Sequence, residues 1–554
     1  MTADGTTRDA APAPEPGTVM TGGRALVRAL AAHGVTQAFG IPGTHNLEIY
    51  RHLDAYGIAH LNPRHEQGAG YAADAYARVT GRPGVALTTT GPALLNIAAA
   101  VGQAYSDSVP LLVVSPGMPL RHPRQSTGLL HEMRSQTDAL RAVAAVSHRV
   151  STVAEIGAAV ARAFTLFRTG RPRPVHIEVP LDLLTEAAEA GPVRLAPPAS
   201  TAVADPAMVA EAAETLRTAR RPALVLGGGA RAAAPECRAL AEQLGALVVT
   251  TANGKGIVPE THPLSLGVSL HSPAVQRWLA EDCDAVLAVG TELAESDVWT
   301  AEPLALGGPL IRADIDPAQM YGVLPADIAL VGEARETVRA LLKEAGAERD
   351  TDAVPRTAAA LRAERDAETA ERDARWLPYL RVLREVLEPD AVLTSDSAQC
   401  CYYGALPHLP LGPEGGYLHP TGFGTLGYAL PAAIGAKTAA PGRQVVALSG
   451  DGGLQFSVQE LATAVQTRLP LPVVVFDNGG YGEIRDEMVA RGDRPVAVDL
   501  PPSGVPPVDL AALARAYGGH GVRATTPEAL ADALRRALAT PGPTVITVPE
   551  EPAR

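Results

Sequence analysis

The sequence predicts an α/β protein of three doubly wound parallel-sheet domains, on three observations. Short apolar, β-branched runs alternate with amphipathic stretches of helical period along nearly the whole chain, the pattern of parallel sheets covered by helices on both faces. At 554 residues the chain is too long for one hydrophobic core, and its 46% hydrophobic content is enough for several. Two stretches break the alternation: 186–206 is rich in Ala and Pro, and 345–376 is dense in Ala, Arg, Glu and Asp. The expected organisation is a disordered tail 1–18, a domain over 19–185, a linker 186–206, a second domain 207–344, a solvated connecting helix 345–376 and a third domain 377–554.

Taken in order, the first domain should contain helices over 24–32, 46–54, 66–79 and 94–105, with strands over 37–41, 58–61, 85–89 and 111–115. The second should carry strands over 223–226, 247–250, 285–289 and 310–314, with Gly227-Gly228-Gly229 as a turn. In the third, Val445-Val446-Ala447-Leu448 is a strand, Ser449-Gly450-Asp451-Gly452-Gly453 a tight turn, and Pro472-Val473-Val474-Val475-Phe476 the next strand. Ser457 and Glu460 have the spacing of a capping box for the helix between them.

A net charge of −13 without any Lys/Arg cluster argues against nucleic-acid partners and against binding to anionic membranes. Cys237, Cys283, Cys400 and Cys401 make neither a disulfide framework nor a zinc spacing, which suits a reducing cytoplasm. No basic start leads into an apolar core, so no signal peptide is expected, and no apolar run is long enough to span a bilayer.

Chemistry concentrates between 444 and 482. Glycines at 450, 452 and 453 allow close approach of the backbone to a ligand, and a helix N-terminus behind a glycine turn suits a phosphate. Asp451 leaves one strand and Asn478 leaves the next, so a parallel crossover brings both to the same sheet edge. Two hard oxygen donors beside a diphosphate are a site for Mg²⁺.

These residues resemble the motif of the thiamine diphosphate enzymes: Gly450-Asp451-Gly452, a spacer, and a pair of residues ending in Asn478, with Asp477 where the family has a first asparagine. The resemblance implies metal ligation by Asp451, Asn478 and the Gly480 carbonyl, and cofactor contacts from Gly450, Gly452, Gly453, Tyr481 and Gly482. It also implies that the three domains bind the pyrimidine, form a central unit and bind the diphosphate. Gly422-Phe423-Gly424-Thr425-Leu426-Gly427 is similar to the family segment that bends the cofactor, which makes Leu426 the apolar side chain under the bend and the Gly424 carbonyl an acceptor for the pyrimidine amino group. Phe39-Gly40-Ile41-Pro42-Gly43 and Thr90-Gly91-Pro92-Ala93-Leu94-Leu95-Asn96 match first-domain loops, so Gly43, Gly91 and Asn96 are expected beside the cofactor.

Thiamine chemistry needs one carboxylic acid that hydrogen-bonds the pyrimidine ring and activates it as a base. Arg64-His65-Glu66-Gln67-Gly68-Ala69-Gly70 resembles the family segment that supplies it, and Glu66 takes that role; Gly70 and Ala73 allow close helix packing. Because the family pairs the domains carrying Glu66 and Asp451 across a subunit boundary, a homodimer or homotetramer is expected.

Within the family the chain is most similar to the decarboxylases of 5-guanidino-2-oxopentanoate, through Arg64-His65-Glu66-Gln67, Gly102-Gln103-Ala104-Tyr105-Ser106-Asp107 and Leu418-His419-Pro420-Thr421. Acetolactate synthases share the frame but carry apolar residues and a tryptophan after Asn478; here Glu483 and Glu487 stand there, i and i+4 on one helix face, suited to a guanidinium. Acids at Glu292, Glu295 and Asp297 stand where FAD-binding members carry an arginine and paired aspartates, which argues against FAD. His131 falls near the cofactor by the same comparison and could carry the proton that replaces carbon dioxide; His45, after Pro42-Gly43-Thr44, is a candidate substrate contact. The expected reaction is Mg²⁺- and thiamine diphosphate-dependent decarboxylation of a small 2-oxo acid to an aldehyde. The alternatives are carboligation of two 2-oxo acids and a non-catalytic thiamine diphosphate-binding protein.

Overall fold

Three six-stranded, wholly parallel sheets carry the chain. The computed structural model describes residues 19–122, 127–193, 195–196, 200–300, 302–346, 354–412, 414–502 and 504–550, so the expected tail 1–18 lies outside the described residues. The chain divides into two compact units, Met1–Ala199 and Ser200–Arg554.

In the first unit the strands run in the spatial order Ala59–Leu61, Gln37–Gly40, Gly84–Leu87, Leu111–Gly117, Val175–Pro180, Val146–Arg149. The inner strands Gly84–Leu87, Leu111–Gly117 and Val175–Pro180 are buried along their whole length, as expected for strands covered on both faces. Residues 187–189, expected within a structureless linker, instead pair antiparallel with Val19–Thr21.

Helix Glu66–Thr80 is capped by His65, whose side chain accepts from the Gln67 amide, and ends at Gly81 in the left-handed region. Its buried face is nearly all Gly and Ala, which lets helix Pro92–Ser106 approach closely: a Cβ on Gly70 would lie 2.4 Å from the Ala100 methyl. On the same helix Arg78 donates to Asp74 and to Asp107, both at 2.8 Å, and both acids are almost wholly buried. Removing a shared cation leaves two buried carboxylates without the charge that pairs them, a costly change. Arg78→Met should therefore cost about 3–5 kcal/mol, read as a lowered denaturation midpoint at unchanged slope.

The second unit holds two sheets. The first has the order Ser265–Val268, Leu247–Thr250, Pro222–Leu226, Ala285–Val289, Leu310–Asp314, Ile328–Val331, and the second Gly416–Leu418, Val392–Ser395, Val445–Gly450, Leu471–Asp477, Pro543–Pro549, His520–Arg523. They are joined by a buried polar contact in which Lys255, fully buried and paired with Glu260, donates to the Leu406 carbonyl at 2.8 Å; around the last sheet itself, the Trp376 indole donates to Glu550 at 2.8 Å. The charge-rich helix spans Val354–Asp373 and is not simply solvated. Ala358 and Leu361 are buried, Arg362 and Arg365 donate to the Ser265 and Leu266 carbonyls, and Glu368 accepts from Ser272 and the Ala274 amide. Its charges serve the edge of the central sheet, a use that alternating signs in sequence do not disclose.

The capping box expected of Ser457 and Glu460 does not form. One short helix, Asp451–Gln455, starts directly at the glycine turn, and the next, Glu460–Thr467, starts with Gln459 at its N-cap and no side-chain cap bond. Glu460 accepts instead from Thr463, and the Ser457 hydroxyl is buried.

Each sheet reverses its winding between two adjacent strands, and ligands in open α/β sheets bind beyond the carboxyl ends of such strands. In the first unit these ends are Gly40 and Leu87; in the central sheet, Leu226 and Val289; in the last, Ser395 and Gly450.

Candidate active site

The first unit brings several predicted residues to its reversal point. Asn46, wholly buried, staples the loop after strand Gln37–Gly40: it accepts from the Gly43 amide at 2.8 Å and donates to the Ile41 and Thr88 carbonyls at 3.0 and 3.1 Å. Gly91, with φ at +59°, receives the loop that follows: its amide donates to the buried Gln136 side chain at 2.6 Å, and a Cβ there would lie 2.4 Å from the His131 carbonyl. Only glycine satisfies both demands.

Glu66, partly buried in the first turn of its helix, accepts from the Asn96 amide at 2.9 Å. Two residues chosen from separate motifs thus meet. The Tyr50 hydroxyl is buried, and burial together with the Glu66 charge raises its pKa. His45 bonds the Thr90 hydroxyl at 2.5 Å, and its ring meets that of His131 edge-on at 5.2 Å. Burial, then the adjacent His131, lowers the His45 pKa. His131 has φ at +63° and a buried Nδ1. For a side chain other than glycine such a backbone costs about 1–3 kcal/mol and is often found where function requires it. Next to it, Glu132 accepts from the Thr127, Gly128 and Leu129 amides and pairs with His122, which together outweigh its burial and lower its pKa.

In the central sheet the reversal point is filled by backbone. A Cβ on Gly227 would lie 2.2 Å from the Gly290 carbonyl, and one on Gly290 2.6 Å from Gly229. Buried Arg312 donates to the Thr291 and Leu324 carbonyls, which commits its guanidinium to holding these loops together.

At the reversal point of the last sheet, Asp451 is 4% exposed and accepts from the Asn478 amide at 3.3 Å. Burial, then the neighbouring Asp477, pushes its carboxyl up to about 7. The Gly480 carbonyl lies 3.6 Å from where a Cβ of Gly452 would stand, with the Tyr481 ring at 3.1 Å from the same point. Asp451, Asn478 and the Gly480 carbonyl therefore border one small glycine-lined space. Gly479, Gly480 and Gly424 all have positive φ, and a Cβ on Gly482 would strike the Asn478 amide nitrogen at 2.5 Å and Gln399 at 2.8 Å. Leu426 is half-buried and Gly424 exposed on the adjoining loop.

Sequence reasoning missed the residue that organises this end of the sheet. Asp396, 1% exposed just past strand Val392–Ser395, accepts from the Gly427 amide with both oxygens (2.9 and 3.1 Å), from the Ser449 hydroxyl at 3.1 Å and from the Ser397 amide at 3.0 Å. A Cβ on Gly453 would lie 2.9 Å from it. One carboxylate thus joins the Leu426 loop to the Gly450–Gly453 turn. Burial raises its pKa to about 6, offset in part by these donors and by the Tyr428 amide. The available signal was its place, an acid directly after an apolar strand at a sheet reversal.

The two glutamates expected to share a face on helix Gly482–Ala490 separate. Glu483 turns into the protein and accepts from Tyr402 at 3.0 Å, Tyr403 at 2.8 Å and Gln399 at 3.0 Å. Glu487 is half-exposed and pairs with Arg491 one turn on.

Comparison with known proteins places this geometry. The N-terminal thiamine pyrophosphate-binding domain model of the thiamine pyrophosphate enzymes matches residues 20–141, their central domain model 209–341, and their C-terminal thiamine pyrophosphate-binding domain model 399–548. The chain is 43% identical over 509 residues to a probable 2-ketoarginine decarboxylase of Pseudomonas aeruginosa, covering 91% of this chain and 89% of that one. It is 35% identical over 557 residues to an acetolactate synthase large subunit of Parasynechococcus marenigrum, covering 96% and 87%, and 31% identical over 551 residues to the acetolactate synthase isozyme 3 large subunit of Escherichia coli, covering 94% and 92%. Three parallel sheets matched in order by the three domain models, with likeness running nearly end to end, make this chain a member of the thiamine pyrophosphate enzyme family.

Proposed function

We propose that the protein decarboxylates 2-ketoarginine, that is 5-guanidino-2-oxopentanoate, or a similar cationic 2-oxo acid, to an aldehyde, using thiamine diphosphate and Mg²⁺ in a cytoplasmic homodimer or homotetramer. The observation that carries this reading is the 43% identity, across 91% of the chain, to a protein named for that decarboxylation.

The residues fit the cofactor's metal. Asp451 is a buried carboxylate bordered by neutral donors and by another acid, an arrangement that a divalent cation stabilises, and Asn478 and the Gly480 carbonyl add the hard oxygens Mg²⁺ prefers. Gly452 keeps a side chain out of the space a diphosphate needs beside the Tyr481 ring and the Gly480 carbonyl, while Gly450, Gly453 and Gly482 let the surrounding backbone pack closely against Ala398, Asp396 and Asn478. When bound, the cofactor supplies an electron sink for the carbon that loses carbon dioxide.

The chain's own groups do the rest. Glu66, steadied by Asn96, presents the acid that would hydrogen-bond the pyrimidine, and the loops beside it are held at Gly43 by Asn46 and at Gly91 by Gln136. Half-buried Leu426 and the Gly424 carbonyl on the adjoining loop would help hold the cofactor when it is bound. His131, whose Nδ1 is buried beside His45, would supply the proton that replaces carbon dioxide, and His45 would meet the substrate.

The acetolactate synthase relatives supply the second reading, joining of two 2-oxo acids. Purified protein given thiamine diphosphate and Mg²⁺, then 5-guanidino-2-oxopentanoate or pyruvate in separate reactions, decides between them by product mass. A guanidino aldehyde from the first is the expected result; acetolactate from pyruvate, with no turnover of the guanidino acid, defeats the decarboxylase reading.

A further inference from the structure

Resting on that reading, we propose that Glu483 is the anion that selects a cationic substrate side chain, and that Tyr402 and Tyr403 are positioning residues that hold it for this task.

The clamp depends on an unusual helix. Residues Cys400–Ala405 form a π-helical turn, a form often found at functional sites. In an α-helix consecutive side chains point about 100° apart. Here two consecutive phenols converge on the two oxygens of one carboxylate, Tyr402 on Oε2 at 3.0 Å and Tyr403 on Oε1 at 2.8 Å. Both are held in turn: the rings meet edge-on at 4.6 Å, and Tyr403 lies under the Arg372 guanidinium at 3.9 Å and against Trp299 at 5.0 Å.

The donors to Glu483 are all neutral. Gln399 completes them, its amide bridging Glu483 Oε2 at 3.0 Å and Asp486 Oδ2 at 2.8 Å. None of the nearby guanidiniums bonds Glu483: Arg485 pairs with Asp499 at 2.9 Å, Arg372 with Asp373 at 2.6 Å, and Arg375 donates to the Gln399 side-chain oxygen at 3.4 Å. Among the described residues Glu483 has no basic partner, so a half-buried negative charge is fixed in place without a cation. A carboxylate has about four acceptor positions, of which three are filled; Asp486 adds more. A guanidinium offers five planar donors to meet them.

Position ties this charge to the reaction. Glu483 follows Gly482, where a Cβ would touch both Asn478 and Gln399, so the clamp adjoins the Asp451–Asn478 space directly. Glu487, half-exposed and paired with Arg491, meets none of these conditions.

The test compares kcat/KM for 5-guanidino-2-oxopentanoate with that for 5-ureido-2-oxopentanoate, a planar neutral isostere of the same length. The wild type should prefer the guanidino acid about ten- to hundredfold, the range of a charge-assisted hydrogen bond. Glu483→Gln should remove most of that preference, mainly through KM of the guanidino acid. Tyr402→Phe/Tyr403→Phe should reduce it about tenfold, and Tyr403→Phe alone provides a milder variant should the others fold poorly. A merely structural role would lower both substrates' kcat/KM together and leave the ratio unchanged, which overturns the proposal. An equal fall in the ratio for Glu487→Gln overturns it too. A wild type that turns over the ureido acid as well as the guanidino acid sinks the proposal while sparing the decarboxylase reading; one that turns over neither removes that reading as well.

Discussion

Glu66→Gln should lower kcat by about 10²–10⁴-fold, the range general acid–base groups contribute, with thermal midpoint unchanged. The substitution keeps the length and polarity of the side chain and its reach to Asn96, whose amide donates to Glu66 at 2.9 Å. The fold does not need the charge, since Glu66 stands in the first turn of a helix already capped by His65 and packed through Gly70 and its alanine neighbours. What is lost is the exchangeable proton. Steady-state rates at saturating substrate and cofactor, beside a melting curve, separate the two effects. Near-normal turnover would withdraw the role assigned to this acid; a collapsed melting curve would make it structural.

Asp451→Asn should weaken Mg²⁺-dependent binding of thiamine diphosphate by about a hundredfold or more. Changing groups outside a metal's ligand set already costs about 10–100-fold in affinity, and a ligand should cost at least as much. The apo protein should not suffer: burial and Asp477 push the Asp451 carboxyl up to about 7, so its ionised form is disfavoured without a cation, and the neutral amide is tolerated at least as well. Calorimetric titration with thiamine diphosphate, with and without Mg²⁺, measures the change, and the melting point of the apo protein serves as the control. Unaltered Mg²⁺-dependent affinity would place the metal elsewhere.

Much of this was legible in the sequence. Strand Ala285–Val289 is where periodicity placed it, because a strand buried on both faces must be apolar throughout. The glycines at 450, 452 and 453 and the small face of helix Glu66–Thr80 were visible for the same local reason, that close approach requires glycine or alanine. The expected tight turn over 449–453 is instead the end of strand Val445–Gly450 running straight into helix Asp451–Gln455. Long-range partners were not visible. Asp396 reaches Gly427 and Ser449, 31 and 53 positions away, and no local pattern encodes such a junction. Likewise the charged helix Val354–Asp373 looks solvated by its own periodicity, yet spends its arginines on carbonyls of the central sheet.

Local pattern was enough to establish the α/β class, the family and the elements bearing Glu66, Asp451 and Asn478, because periodicity and glycine placement are local consequences of backbone geometry. Which acid of helix Gly482–Ala490 points inward is settled by long-range packing. Helical spacing states which residues share a face but not what that face meets, and what it meets here is a pair of tyrosines some 80 positions earlier, turned toward Glu483 by a π-helical turn.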